Sequence, residues 1–235
     1  MVSLGSKGFN ISSPFKADII NYLDKIDPTA AKINSVNTVK IINNHLEGYS
    51  TDGLGFWQSL KKINKSKTLL IGTGGAARAI MANAANYGVK HLIVVNRYGT
   101  DWEQKVITTQ RLANVQLYDL NDRQYLTKIL RDVDLVINAT TVGMKNTDPS
   151  LLTSSEISVT KNSTVFVDLI YAHQTKFLQI AAAHKRKSLN GIPMLIAQAA
   201  LSFKIWTGVE ADISTMKKSL RSVINSDKWL QSGLI

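Results

Sequence analysis

Leu69-Leu70-Ile71-Gly72-Thr73-Gly74-Gly75-Ala76-Ala77-Arg78-Ala79 decides the fold. An apolar run of strand character feeds a glycine-rich turn, and the turn opens a helix of small residues. The spacing fits G-x-G-x-x-[G/A], with Gly72, Gly74 and Ala77 in the three fixed places. Gly72 permits a tight turn at the strand end. Gly74 leaves room for a pyrophosphate beside the backbone, and Ala77 lets the helix pack closely on the strand. The unpaired N–H groups of the first helical turn, at the positive end of the helix dipole, can then hold phosphates. Such turns also occur without a ligand. Here both flanks are right, and a dinucleotide site is expected.

The next strand bears on which dinucleotide. Val89 to Arg97 reads V-K-H-L-I-V-V-N-R and ends at Val95 or Asn96. An NAD site usually carries Asp or Glu there, accepting from the ribose 2′-OH. This chain has Asn96 followed by Arg97. A carboxylate would repel a 2′-phosphate, whereas a guanidinium pairs with it, so NADP is expected. Two alternatives stay open on these residues alone. Arg97 could be a solvated loop arginine, and Asp101 would favour NAD if its loop folds back to the ribose.

Outward from this unit, strand and helix patterns alternate, as in a doubly wound parallel sheet. Strands are expected near 67–72, 91–96, 115–118, 133–138, 163–168 and 188–190. A long apolar helix spans Pro193 to Val209, and another runs from about Asp212 to Ile224. Before the polar, lysine-rich stretch 61–67, a plausible hinge, the chain reads as helix, helix, hairpin, helix. Pro14 starts the first helix, running to about Asp24. Asp27 caps the second. Asn43-Asn44 joins strands at 36–42 and 46–49, and Thr51-Asp52 offers an N-cap for a helix through Trp57 and Leu60. The expected class is α/β, a Rossmann domain with a smaller α/β domain.

Composition narrows the classes. The chain has 235 residues, 44% hydrophobic, enough for one large domain or two small ones. Without cysteine it has no disulfide, thiol nucleophile or cysteine metal site. His45, His91, His173 and His184 show no ligand spacing, so no metal is expected. No stretch is apolar enough for a bilayer span, and the start lacks the apolar core of a secretion signal, so a cytoplasmic protein is expected. The net charge of +11 invites a nucleic-acid reading. The basic residues are scattered and not interleaved with aromatics, so no specific nucleic-acid partner is expected. A basic surface also suits small anionic ligands.

Further stretches resemble the shikimate dehydrogenase family, in order along nearly the whole chain. Gly8-Phe9-Asn10-Ile11-Ser12-Ser13-Pro14-Phe15-Lys16 resembles G-x-N-V-T-x-P-x-K. Ile33-Asn34-Ser35-Val36-Asn37-Thr38-Val39 is similar to I-G-A-V-N-T-V, and Gly48-Tyr49-Ser50-Thr51-Asp52-Gly53-Leu54-Gly55-Phe56 to G-x-N-T-D-x-x-G-F. Asn96-Arg97 matches the start of N-R-T. Asn138-Ala139-Thr140-Thr141-Val142-Gly143-Met144 is similar to N-A-T-S-x-G-M. Asn190-Gly191-Ile192-Pro193-Met194-Leu195 with Gln198-Ala199 and Ser202-Phe203 resembles N-G-x-G-M-L-x-x-Q-A-x-x-S-F.

The resemblance implies reversible NADPH-dependent reduction of 3-dehydroshikimate to shikimate, a step of aromatic amino-acid biosynthesis. It implies Lys16 and Asp52 as the catalytic pair, and Ser12, Asn37 and Gln198 as substrate-binding residues. Gly72, Gly74, Gly75, Ala76, Asn96, Arg97, Thr140 and Met194 fall on cofactor positions. A ketone that accepts a hydride becomes an alkoxide, and a lysine ammonium can stabilise that charge and donate the proton. The resemblance also implies residues 1–62 as the remainder of a substrate domain, 63–195 as an NADP-binding domain and 196–235 as helices returning to the first. Monomer and homodimer both occur in the family.

The chain departs from the pattern in places. It opens at a later motif than the family's first strand and its S-x-S loop, so a truncated product, misassigned start or fragment is expected, and a cofactor-binding remnant is an alternative. Ser50, Tyr98, His173 and Pro193 replace the usual Asn, Thr, Pro and Gly. The Tyr98–Trp102 loop resembles the quinate/shikimate branch that accepts NAD.

Overall fold

A computed structural model describes residues 5–223 of the chain, which form two lobes. The smaller holds β1 (Gly8–Asn10), β2 (Lys25–Ile26), α1 (Pro28–Ile33), β3 (Thr38–Ile42), β4 (His45–Tyr49) and α2 (Asp52–Ser59). Its sheet runs β1-β3-β4-β2, with β2 parallel to β4 and the other pairs antiparallel. Asp27 caps α1 as expected, accepting from the N–H groups of Thr29 and Ala30, with Pro28 in the first turn. Asn43 and Asn44 both take positive φ, 49° and 67°, which closes the β3–β4 hairpin; asparagine tolerates this better than most residues.

One expectation for this lobe is corrected, and two further features go beyond the sequence reading. The helix expected from Pro14 to Asp24 is a turn followed by a 3-10 segment, Asp18–Tyr22. The Lys16 carbonyl, which would accept from residue 20 in an α-helix, accepts instead from Val36 N–H at 2.8 Å, and Ile20 N–H goes to Ala17. The short strands β1 and β2 were not expected at all. Thr51 occupies the N-cap of α2 but makes no side-chain cap bond, because its hydroxyl serves the site described below.

The larger lobe is built on six parallel strands: β5 (Lys67–Ile71), β6 (His91–Asn96), β7 (Leu117–Asp119), β8 (Leu135–Asn138), β9 (Val165–Asp168) and β10 (Lys187–Leu189). All six fall where the sequence places them. The order β10-β9-β8-β5-β6-β7 reverses direction between β5 and β8, the switch point where ligands bind in such sheets. β5, β8 and β9 are buried on both sides, which is why they read as unbroken apolar runs. Leu70, Val94, Ile137 and Val167 face one core with α2, α3 (Gly75–Asn83) and α4 (Trp102–Ala113). Leu69, Val95, Val136 and Phe166 face the other with α5 (Arg123–Leu130), α6 (Ser154–Ser158) and α7 (Lys176–Ala183).

Two helices join the lobes. α8 (Ile192–Thr207) leaves the larger lobe and packs along α2 and β3, where Trp206 Nε1 donates to the Val39 carbonyl at 2.9 Å. α2 lies between α3 and α8, and glycines permit both approaches. A Cβ on Gly53 would stand 2.1 Å from the Ala79 oxygen, and one on Gly55 would stand 2.7 Å from Gln198 N. The lysine-rich stretch before β5 is pinned at its centre, where Lys65 Nζ donates to the Leu60 and Ile63 carbonyls at 3.0 Å each. α9 (Ile213–Val223) packs against α8; the remainder of the expected last segment, residues 224–235, lies outside the described residues. Among the described residues no helix is long and apolar enough to cross a membrane, and no group of three or more His, Asp or Glu is placed to hold a metal ion.

Candidate active site

The turn after β1 and the start of α2 bring Lys16 and Asp52 together. Lys16 Nζ donates to Asp52 Oδ2 at 2.7 Å, with the lysine side chain 20% exposed and the aspartate 6%. The other carboxylate oxygen accepts from Asn37 Nδ2 at 2.9 Å. The same amide group reaches Thr51 Oγ1 at 2.9 Å and Gln198 Oε1 at 3.2 Å, while Asn37 Oδ1 accepts from Thr51 N–H at 2.8 Å. Asn37 therefore joins the end of β4, the start of α2 and the middle of α8. Asn10 and Ser202 form a second layer, with Asn10 Nδ2 donating to the Asn37 carbonyl and Ser202 Oγ lying 2.7 Å from Thr38 Oγ1.

These residues wall a cavity of about 490 Å³. Ser12, Lys16, Asn37, Asp52 and Gln198 all line it, so the resemblance-derived catalytic and substrate positions share one space. An ammonium held against a buried carboxylate, beside side-chain amides, suits a small polyhydroxylated molecule with a carbonyl to be polarised.

A second cavity, of about 430 Å³, opens at the carboxyl ends of β5, β6 and β8. Gly72, Gly74, Asn96, Arg97 and Thr140 line it. Gly72 has φ of +113°, and a Cβ there would press on Ala139 O and Thr140 Cγ2 at 3.0 Å. A Cβ on Gly74 would meet nothing within 4 Å, and Gly74 caps α3 without a side-chain hydrogen bond. Unclaimed helix N–H groups, open space above them and Arg97 at the rim fit an anionic dinucleotide. Ala76 and Met194 line the cavity of Lys16 instead, so neighbouring residues at the start of α3 line both cavities. Gly75 sits at the seam between the lobes, 3.2 Å from Ser35 Oγ when given a Cβ.

Supporting residues fix this loop region. Asn96 Nδ2 donates to Thr73 Oγ1 at 2.9 Å. Asn138 Oδ1 accepts from Thr140 N–H and Oγ1, and its Nδ2 donates to Asp168 Oδ1 at 3.0 Å. Asp168 is fully buried, and burial pushes its carboxyl above the ordinary range despite the bonds from Thr175, Ile170 and Asn138. Asp101 lines the second cavity, but its carboxylate accepts from Lys105 Nζ at 2.7 Å, which holds it below the usual carboxylate range. Sequence reasoning missed Arg78 and Lys105, which line the same cavity. For Arg78 the signal was its place inside the glycine-rich stretch.

Comparison with known proteins agrees along the chain. Residues 1–39 match the family model of the shikimate dehydrogenase substrate binding domain, 57–171 that of shikimate / quinate 5-dehydrogenase, and 191–221 that of the shikimate 5'-dehydrogenase C-terminal domain. The shikimate dehydrogenase (NADP(+)) of Methanococcus vannielii is 36% identical over 234 residues, covering 95% of this chain and 80% of the relative. The structure of shikimate 5-dehydrogenase from Listeria monocytogenes in complex with shikimate and NAD is 33% identical, with a TM-score of 0.80 over 93% of this chain and 78% of that one. The Thermus thermophilus shikimate 5-dehydrogenase in complex with NADP(H) and shikimate is 32% identical, with a TM-score of 0.77 over 92% of this chain and 78% of that one.

Proposed function

The chain belongs to the shikimate dehydrogenase family, and from that premise we propose that it catalyses the reversible reduction of 3-dehydroshikimate to shikimate with NADPH. The observation that carries the proposal is the Lys16–Asp52 pair, bound to Asn37 in a cavity that shares the start of α3 with the glycine-loop cavity. On this reading residues 1–62 and 196–235 serve the substrate and residues 63–195 the cofactor.

NADPH, when bound, supplies the hydride. Gly72, Gly74, Gly75 and Ala76 would hold its phosphates at the start of α3, Asn96 and Arg97 its 2′-phosphate, and Thr140 and Met194 the remainder. Ser12, Asn37 and Gln198 hold the substrate's ring hydroxyls, each amide donating and accepting as needed. Lys16 stabilises the oxyanion as the ketone carbon is reduced, and its Nζ donates the proton that completes the alcohol. Asp52, accepting from Nζ at 2.7 Å, keeps that ammonium aimed. In the reverse direction neutral Lys16 takes the hydroxyl proton. Arg97, together with an Asp101 already paired to Lys105, favours NADP over NAD.

The test is NADP reduction with shikimate, followed by absorbance, alongside NAD and the Lys16→Ala variant. The expected result is turnover with NADP, weaker turnover with NAD, and a loss of roughly 10²-fold or more in the variant, the scale of general acid–base catalysis. NADPH affinity should be unchanged in that variant. Undiminished turnover without Lys16 would sink its role. NADPH binding with no shikimate-dependent turnover in the parent would sink the activity.

A further inference from the structure

Arg78 stands one turn into α3, at the fourth helical position after Gly74. It lines the nucleotide cavity with Asn96, Arg97, Lys105 and Thr108. Its Nε is buried without a hydrogen-bond partner. One terminal nitrogen reaches only the Asn34 carbonyl, at 3.5 Å, the outer limit of a hydrogen bond. Burial and the neighbouring Arg111 both lower its pKa, as befits a cation short of negative charge. A guanidinium has five donors and no acceptor, so an anion is the ligand chemistry that suits it. The Asp101 carboxylate in the same cavity is taken by Lys105.

We propose that Arg78 is a second guanidinium for the 2′-phosphate of NADPH, acting with Arg97. This rests on the cofactor reading above. The pyrophosphate would be served by backbone N–H groups at the start of α3 and needs no side chain. Arg78 has Arg111 of α4 as a charged neighbour and lines the cavity with residues from the end of β6 and the first turns of α4, Asn96, Arg97, Lys105 and Thr108. A planar fork there can take two phosphate oxygens at once, which a lysine cannot do.

The experiment measures NADPH and NADH affinity by titration calorimetry for the parent chain, Arg78→Gln and Arg78→Lys. Both ligands carry the pyrophosphate, and only NADPH carries the 2′-phosphate. Arg78→Gln should weaken NADPH by roughly 10- to 100-fold, the scale of a lost charge-assisted hydrogen bond. NADH affinity should stay within about twofold of the parent, which also shows that the variant is folded. Arg78→Lys should recover part of the loss, because charge returns but the fork does not. An equal loss for both ligands would overturn the proposal and make Arg78 a pyrophosphate or purely structural residue. Unchanged NADPH affinity in Arg78→Gln would overturn it as well. A parent chain that binds NADPH no better than NADH would overturn the cofactor reading itself, and this proposal with it.

Discussion

A carboxylate withdrawn from water must be compensated, and the site compensates Asp52 from two sides. Lys16 and Asn37 each take one oxygen, so neither lone charge is left buried. A surface pair obeys the same electrostatics with an effect that can be read by pH. Asp132 accepts from Lys67 at 2.6 Å and pairs with Lys161 at 3.0 Å, and these partners pull its carboxyl from an ordinary 3.8 to about 2. The folded value is the lower one, so the stabilisation is present above about pH 4 and is lost as pH falls through about 2. Thermal melts of Asp132→Asn should therefore lie below the parent at neutral pH and converge with it near the acid end. Parallel curves across that window would refute the assignment. At this scale the sequence was informative only where residues sit in motifs. Lys16 and Asp52 are 36 positions apart, and no periodicity joins them; the pair was legible through resemblance alone. Ser202 and Thr38, which support Asn37, carry no chemical signature that spacing could reveal.

The strands of the larger sheet were legible because burial on both faces leaves a mark, a continuous apolar run, that the pairing cannot disguise. β1 and β2 are three and two residues long and leave no such mark. The misread helix after Pro14 failed for a nonlocal reason, the hydrogen bond from Val36 to the Lys16 carbonyl, which no local propensity reports. α2 carries the strictest demand on an element. Its glycines admit α3 and α8 at backbone distance, and its first residue is Asp52. Gly55→Ala would set a methyl 2.7 Å from Gln198 N and 2.8 Å from its Cα. Neither backbone atom can swing aside as a side chain would. Denaturant unfolding should show a loss of about 1–3 kcal/mol, the usual cost of overpacking. Shikimate turnover should fall as well, because the displaced residue is Gln198. A variant as stable and as active as the parent would contradict this packing.

The two lobes differ sharply in what holds them. The larger has a core on each face of its sheet, and Ile33, Phe56 and Trp57 of the smaller lobe join one of these, whereas the smaller lobe's own buried cluster consists of Ala30, Val36 and Val39, with Phe9, Ile19, Ile20 and Leu23 only partly covered. Limited proteolysis under native conditions should cut between about residues 5 and 50 before it cuts the parallel sheet, since local opening costs least where burial is least. Uniform protection of that stretch in hydrogen exchange would count against it. Beside the α2–α3 packing, one stripe on α8 fastens the smaller lobe. Met194 and Gln198 line the cavity of Lys16, Ser202 meets Thr38, and Trp206 meets Val39, each four residues after the last. The helix is thus a phased ruler. One inserted residue between Met194 and Trp206 would turn everything beyond it by about 100°. Individual substitutions along α8 would each remove one tooth, but a change in its length would disengage the whole rack. Among descendants of this sequence the helix is therefore free to vary in composition far more than in residue count.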